Sequence, residues 1–264
     1  MKRLENKFVE LRARNEKALI VYLTAGDPSL DITKQLIFAL EKAGVDILEI
    51  GVPFSDPTAD GPVIQAAAQR SLKAGTTLEG VLKMVAEVRK FSDIPIVLFG
   101  YFNPIFAYGV KKFAQAARNA GVDGVLVVDL PYEEAKELRD YTDAVGIDFI
   151  SLIAPTTDKE RLKKIVSKAS GFLYYISITG ITGTTAPKIS NIKVEVEKIR
   201  KITKRPIAVG FGISKPEQAR EIGHFADGVV IGSAVVRMID ENKNKKNLIR
   251  IVSDYVTDIK KELR

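Results

Sequence analysis

The sequence predicts an α/β fold: a single (β/α)8 TIM barrel with an extra N-terminal helix, occupying residues 1–264 as one domain. Three observations predict it. Eight short apolar runs rich in β-branched residues recur along the chain. Amphipathic helical stretches separate them. The alternation fills 264 residues with no linker or composition break, close to the roughly 250 residues of a standard barrel. Runs that are apolar on both faces and separated by helices pair in parallel through right-handed crossovers. Eight such units point to a closed barrel.

Taken in order, "RLENKFVELRARNEKA" reads as the extra helix, placed to cover the bottom of the barrel. The strands follow as "LIVYL" from Leu19, "ILEIG" from Ile47, "IVLFG" from Ile96 and "GVLVV" from Gly124. "FISLI" from Phe149, "FLYYIS" from Phe172, "IAVGF" from Ile207 and "GVVIG" from Gly228 complete the set. Helical periodicity lies between them in "ITKQLIFALEKAG", "VKKFAQAARNAG", "EEAKELRDYTDAVG" and "DKERLKKIVSKAS". Three of these close on glycine, a helix C-terminal signal. The connection from the second to the third strand holds two helices, "PVIQAAAQRSLKAG" and "TLEGVLKMVAEVRK".

Composition narrows the chemistry. The chain has no cysteine and one histidine, His224, so thiolate nucleophiles, disulfides, cysteine or histidine metal sites and a Ser-His-Asp triad are not expected. Acid–base work falls to carboxylates, tyrosines or lysines, and no metal is expected. The net charge is +7, but its only cluster is "NKNKKN", Asn242 to Asn247, which reads as a solvated lysine-rich surface. No nucleic-acid partner is expected. No apolar run reaches about 20 residues and no signal-peptide pattern opens the chain, so a membrane location is not expected and the cytoplasm is the default compartment.

The informative stretch is "DILEIGVPFSDPTADGP", Asp46 to Pro62. Side chains of a barrel strand alternate between lumen and helix layer. Leu48 and Ile50 suit the helix layer, which aims Glu49 into the lumen near the C-terminal rim, where barrel active sites sit. A carboxyl group in a partly dry mouth has its pKa raised, the property a general acid needs near neutral pH. The competing reading is a structural pair with lysine, but no lysine occupies an obvious inward position. Asp60 precedes Gly61-Pro62 and a helix, so spacing alone leaves a helix cap and a chemical role equally open. Asp56, between Ser55 and Pro57, is most simply a turn former.

Three glycine-bearing loops follow later strands: "TGITGTTAP" from Thr179, "GFGIS" from Gly210 and "IGSAVV" from Ile231. Backbone N–H groups at glycines and at a helix N-terminus bind anions, and barrels commonly hold phosphate after strands seven and eight. The Thr/Gly loop also reads as a lid. Tyr22, Tyr101, Tyr174 and Phe211 surround the mouth, where they either line a pocket for a flat ring or pack the core. His224 reads as a surface or packing residue.

These motifs together resemble the tryptophan synthase α subunit family. "LEIGVPFSDPTADGPVIQ" is similar to that family's signature, and "YLTAGDP", "GYFNPIFAYG", "VVDLP", "LIAPTT", "GFLYYISITGITGT", "GFGIS" and "IGSAVV" follow in family order over nearly the whole chain. One departure is Thr58, where the family more often has an apolar residue such as leucine.

The resemblance implies retro-aldol cleavage of indole-3-glycerol phosphate to indole and glyceraldehyde 3-phosphate. It implies that Glu49 protonates the ring carbon and then helps deprotonate the glycerol hydroxyl. Asp60 is implied at the indole N–H, and Tyr174 as the active-site tyrosine. The resemblance assigns Thr182 and Gly183 to a mobile loop of that family. Gly183, Gly212, Gly232 and Ser233 match phosphate-binding positions, while Tyr22, Tyr101 and Phe211 would line the indole pocket. Pro53 and Asp56 belong to the loop used against a β subunit, in a complex of two α and two β chains. No cofactor is implied for this chain; pyridoxal phosphate belongs to the β partner. A stand-alone indole-releasing lyase and a non-catalytic phosphosugar-binding partner remain as alternatives. Indole-glycerol-phosphate synthase needs a strand-borne lysine centre that these eight strands do not offer.

Overall fold

A computed structural model describes residues 2–176, 188–210 and 212–264. Nine strand segments form one all-parallel sheet: β1 Ala18–Thr24, β2 Ile47–Gly51, β3 Ile96–Gly100, β4 Gly124–Val127, β5 Asp148–Phe149, β6 Ser151–Ile153, β7 Leu173–Ile176, β8 Ile207–Gly210 and β9 Gly228–Ile231. Their order is β5-β4-β3-β2-β1-β9-β8-β7-β6. The two ends of this order are neighbours in sequence. β5 pairs with β4 and β6 with β7, and between them the Ile150 N–H donates to Val125 O at 2.8 Å. The sheet therefore closes as eight staves. The fifth stave, expected as one strand, is split because its first half hydrogen-bonds to one neighbour and its second half to the other. Staggered pairing of this kind is what closing a tilted sheet demands.

Helices cover the outside: α1 Arg3–Ala13, α2 Leu30–Lys42, α3 Pro62–Lys73, α4 Leu78–Val88, α5 Phe102–Tyr108 and α6 Val110–Ala120. They continue with α7 Lys136–Ala144, α8 Lys159–Lys168, α9 Ile189–Arg200, α10 Pro216–Gly223, α11 Ser233–Asn242 and α12 Leu248–Lys261. Strand alternation divides the core in two. Leu19, Val21, Leu48, Ile50, Ile96 and Leu98 face the helix layer. Ile20, Ile47, Val97, Leu126, Ile150, Phe172, Ala208 and Val230 fill the lumen. Leu4, Phe8 and Leu11, spaced along one face of α1, join the lumenal set, and Phe8 packs on Phe172 at 5.7 Å between ring centres. The extra helix is thus the plug expected at the bottom. It stops at Ala13 rather than at Ala18, because Ala18 already belongs to β1.

Three aspartates, each placed just before a strand, staple that bottom face. Asp46 accepts the Leu19 N–H at 2.8 Å, Asp123 the Ile96 N–H at 2.9 Å and Asp227 the Ile207 N–H at 2.8 Å. Each bridges from its own strand to the neighbouring one and carries a cation: Lys260 on Asp46, Arg3 and Arg89 on Asp123, Arg200 on Asp227. Lys260 and Asp46 are 3% and 7% exposed, with Nζ and Oδ2 2.8 Å apart. Removing one partner of such a pair strands the other charge, a loss of roughly 3–5 kcal/mol. Lys260→Met is accordingly expected to lower the melting temperature by about 10 °C. Burial already raises the Asp46 carboxyl and Lys260 opposes that rise, so the loss should shrink in acid as Asp46 takes up a proton. Calorimetry across pH checks this, and kcat per folded molecule should be unchanged because the pair lies at the opposite end from the rim.

Candidate active site

Glu49 occupies the middle of β2, in register with Tyr22 on β1 and Val97 on β3. It is 1% exposed, and its Oε1 has no hydrogen-bond partner among the described residues. Burial alone pushes its pKa up to about 8, so near neutral pH the group holds a proton. The lysine pair that would have made it structural is not formed among the described residues.

Asp60 reaches the same region from the loop after β2. The Pro57–Asp60 turn (Asp60 N–H to Pro57 O, 3.1 Å) brings its half-buried carboxylate to Tyr101 at the end of β3. The Tyr101 hydroxyl donates to Asp60 Oδ2 at 3.0 Å and accepts the Ala59 N–H at 3.0 Å. Burial raises the Asp60 pKa to about 6, with the Tyr101 hydrogen bond holding it down. The capping alternative is not realised: the N-cap of α3 is Gly61, with no side-chain cap bond. The chain therefore provides two carboxyl groups whose environments separate them, one protonated and one largely ionised at pH 7.

Two tyrosines lie across neighbouring strands. Tyr22 leans over Gly51, where a Cβ would come within 2.1 Å of its hydroxyl oxygen. Tyr174 leans over Gly210, where a Cβ would stand 2.5 Å from its hydroxyl oxygen. Only glycine admits either ring. Both phenols are buried and raised in pKa, by burial first. Next comes the charge at Asp60 for Tyr22 and at Glu49 for Tyr174. Tyr22 also meets Phe99 edge to face at 5.2 Å and packs with Ile64 and Ala67 of α3 and Val236 of α11.

One turn of alternation above the lumenal residues, the rim divides into halves. Phe99, Val128, Leu152 and Ile176 form an apolar side packed on the lumenal core. Gly51, Gly210 and Gly232 bring no side chain of their own to the other half, where the Tyr22 and Tyr174 rings lie against them. The sequence reading missed these four apolar residues and Ile64. The signal was available, since each of the four stands two positions past an inward residue: Val97, Leu126, Ile150 and Tyr174. A cleft of about 340 Å³ runs outward from Val128, Leu152 and Ile176 toward Asp129, Thr156 and Arg161.

Gly232 is the N-cap of α11 and lies against Tyr22, with Ser233 opening the helix and no side chain capping it. Gly212 is exposed with φ +59°. Thr182, Gly183 and Phe211 lie outside the described residues. Pro53 is buried, whereas Asp56 is exposed, hydrogen-bonded to Ser55, and accepts the Thr58 N–H at its backbone oxygen. Phe54 packs on Tyr101 at 5.2 Å, and Phe102 packs on Phe106, which is 64% exposed. His224 is exposed at the end of α10, as its sequence context suggested.

A parallel barrel that keeps a lone protonated glutamate and a tyrosine-held aspartate at its C-terminal rim is equipped for proton transfer, and this places the chain among acid–base enzymes of the (β/α)8 class. The comparisons narrow the class. Residues 8–263 match the family model described as tryptophan synthase alpha chain. The tryptophan synthase alpha chain of Citrifermentans bemidjiense is 47% identical over 260 residues, covering 98% of this chain and 97% of that one. The crystal structure of tryptophan synthase subunit alpha from Legionella pneumophila superposes with a TM-score of 0.93 at 38% identity, covering 100% of this chain and 98% of that one. A chain of the tryptophan synthase a2b2 complex from Pyrococcus furiosus superposes at 0.82 with 38% identity, covering 93% and 98%. The chain belongs to the tryptophan synthase alpha chain family, a family of lyases.

Proposed function

We propose that this chain cleaves indole-3-glycerol phosphate into indole and glyceraldehyde 3-phosphate. The observation that carries the reading is Glu49: a buried carboxyl with an unpartnered oxygen, pKa about 8, in the mouth that also receives Asp60. Glu49 gives its proton to C3 of the indole ring, which leaves positive charge at the ring nitrogen. The Asp60 carboxylate takes the N–H hydrogen bond and steadies that charge. Glu49, now a carboxylate, removes the proton of the hydroxyl next to the scissile bond. The C3–carbon bond breaks, its electron pair returns to the ring, and the hydroxyl carbon becomes the aldehyde. The donated proton stays on C3 of indole and the hydroxyl proton restores Glu49 to its acid form, so the cycle closes without a cofactor in this chain. Tyr22, Phe99, Val128 and Leu152 give the flat ring an apolar bed. Gly212, Gly232 and the N-terminus of α11 suit the phosphate.

The partner follows from the product. Indole is apolar and leaks unless handed on, and the Pyrococcus relative is part of an a2b2 complex. We read the exposed Asp56 loop and Phe106 as the docking face for a β subunit, in a complex of two α and two β chains, with pyridoxal phosphate held by the β chain. Pro53 of the same loop is buried, so the docking surface falls to its exposed neighbours. A cytoplasmic setting accords with this metabolism, and no helix among the described residues is long and apolar enough to cross a membrane. The decisive experiment is indole formation from indole-3-glycerol phosphate with and without a β subunit. Indole release that rises on adding β is expected. Full rate without β favours a stand-alone lyase, and no indole in either case overturns the reading.

A further inference from the structure

Asp27, in the loop after β1, is 2% exposed and carries a bidentate ion pair. Arg70 of α3 donates to it through Nε at 2.8 Å and Nη2 at 2.7 Å. The same guanidinium extends Nη1 to Asp240 of α11 at 3.2 Å. A second tie lies beside it, where the Ser71 hydroxyl donates to Ala25 O at 2.5 Å. One planar fork thus fixes three elements: the β1 loop, α3 and α11.

Both helices lead to the site. Asp60 stands two residues before α3 begins, and Arg70 lies eight residues after Pro62, about 12 Å along the axis at ~1.5 Å per residue. Ser233 begins α11, and Asp240 lies seven residues on, about 10 Å along. Between these points the helices share Tyr22 through Ile64, Ala67 and Val236. Any change in how α3 sits against α11 therefore changes the separation between Asp60 and Ser233.

We propose that Arg70 is a positioning residue: bound to Asp27 and Asp240, it sets the distance between the ring-binding and anion-binding ends of the site, and so selects the length of a ligand that spans both. The inference rests on the functional reading above. Lysine keeps the charge but not the fork, so Arg70→Lys loosens the clamp without stranding Asp27. Asp240 is 41% exposed at its side chain, and an ion pair that open to solvent adds little to stability. Asp240→Asn therefore cuts the α11 tie while sparing the fold.

The test measures three dissociation constants by calorimetry in the wild type and both variants: indole, inorganic phosphate, and 3-(indol-3-yl)propyl phosphate, which joins the two fragments and has no hydroxyl to react. Indole and phosphate should each bind within about twofold of wild type, because each contacts one end. The joined ligand should bind roughly tenfold or more weakly. Parallel loss of all three would mean a general structural role, and no loss of any would mean the clamp sets nothing; either overturns the proposal. A wild type that binds the joined ligand no better than its fragments overturns it as well. Turnover of indole-3-glycerol phosphate by the wild type tests the functional reading separately.

Discussion

Glu49→Gln is expected to abolish indole release, with kcat falling by roughly 10³–10⁴, the range of a lost general acid that also serves as base. The KM for indole-3-glycerol phosphate should change little, since glutamine keeps the shape. The same variant should reveal what the unpartnered carboxyl costs. Burial lifts its pKa from 4.5 to about 8, so the folded chain holds a proton that the unfolded chain releases. Folding is then disfavoured progressively as pH rises from about 4.5, and the cost is complete above about 8. At ~1.4 kcal/mol per pKa unit this amounts to something on the order of 3 kcal/mol at pH 7. Glutamine does not ionise, so the variant should gain on the wild type steadily between pH 5 and 8. Urea unfolding at a series of pH values measures the gap. A pH-independent gap would mean that Glu49 is paired, and wild-type turnover would sink its role as proton donor.

How much of this was legible in the sequence depends on how local each cause is. Glu49 was legible because a carboxylate in a two-residue apolar alternation breaks a local rule, and such breaks gather at functional sites. Asp60 was not decided by spacing, since Asp-Gly-Pro before a helix serves a cap equally well. The choice rests on the Tyr101 hydroxyl, 41 residues away. The apolar half of the rim was latent in the alternation, yet "IVLFG" and "GVLVV" look like any buried strand until closure brings their upper residues around one mouth. The split fifth stave could not be read at all. Whether Phe149 and Ser151 belong to one segment depends on which neighbours they pair with, and sequence does not state neighbours. The same applies to Lys260, whose partner Asp46 lies 214 residues earlier. The seven-residue α5 was missed because a helix that short offers two turns of pattern and contains Pro104.

The paired carboxyls make a pH prediction that does not depend on absolute rates. Turnover needs Asp60 ionised and Glu49 protonated, with pKa values of about 6 and about 8. For the free enzyme, kcat/KM should be bell-shaped with a maximum near pH 7. Tyr101 gives a handle on one limb alone. Its hydroxyl donates to Asp60 and favours the ionised form. Tyr101→Phe therefore raises the Asp60 pKa and moves the acid limb to higher pH. One neutral hydrogen bond is worth about 1 kcal/mol, so the displacement should be up to roughly one pH unit. The alkaline limb, set by Glu49, should stay in place. Asp60→Asn goes further: the acid limb disappears and the rate falls by about 10²–10³ at every pH, because an amide cannot carry the negative charge that steadies the ring nitrogen. An alkaline limb that moves with Tyr101→Phe would mean the two carboxyls titrate as one coupled pair rather than as a separate acid and base. An acid limb that survives in Asp60→Asn would assign that proton to another group and remove Asp60 from the chemistry.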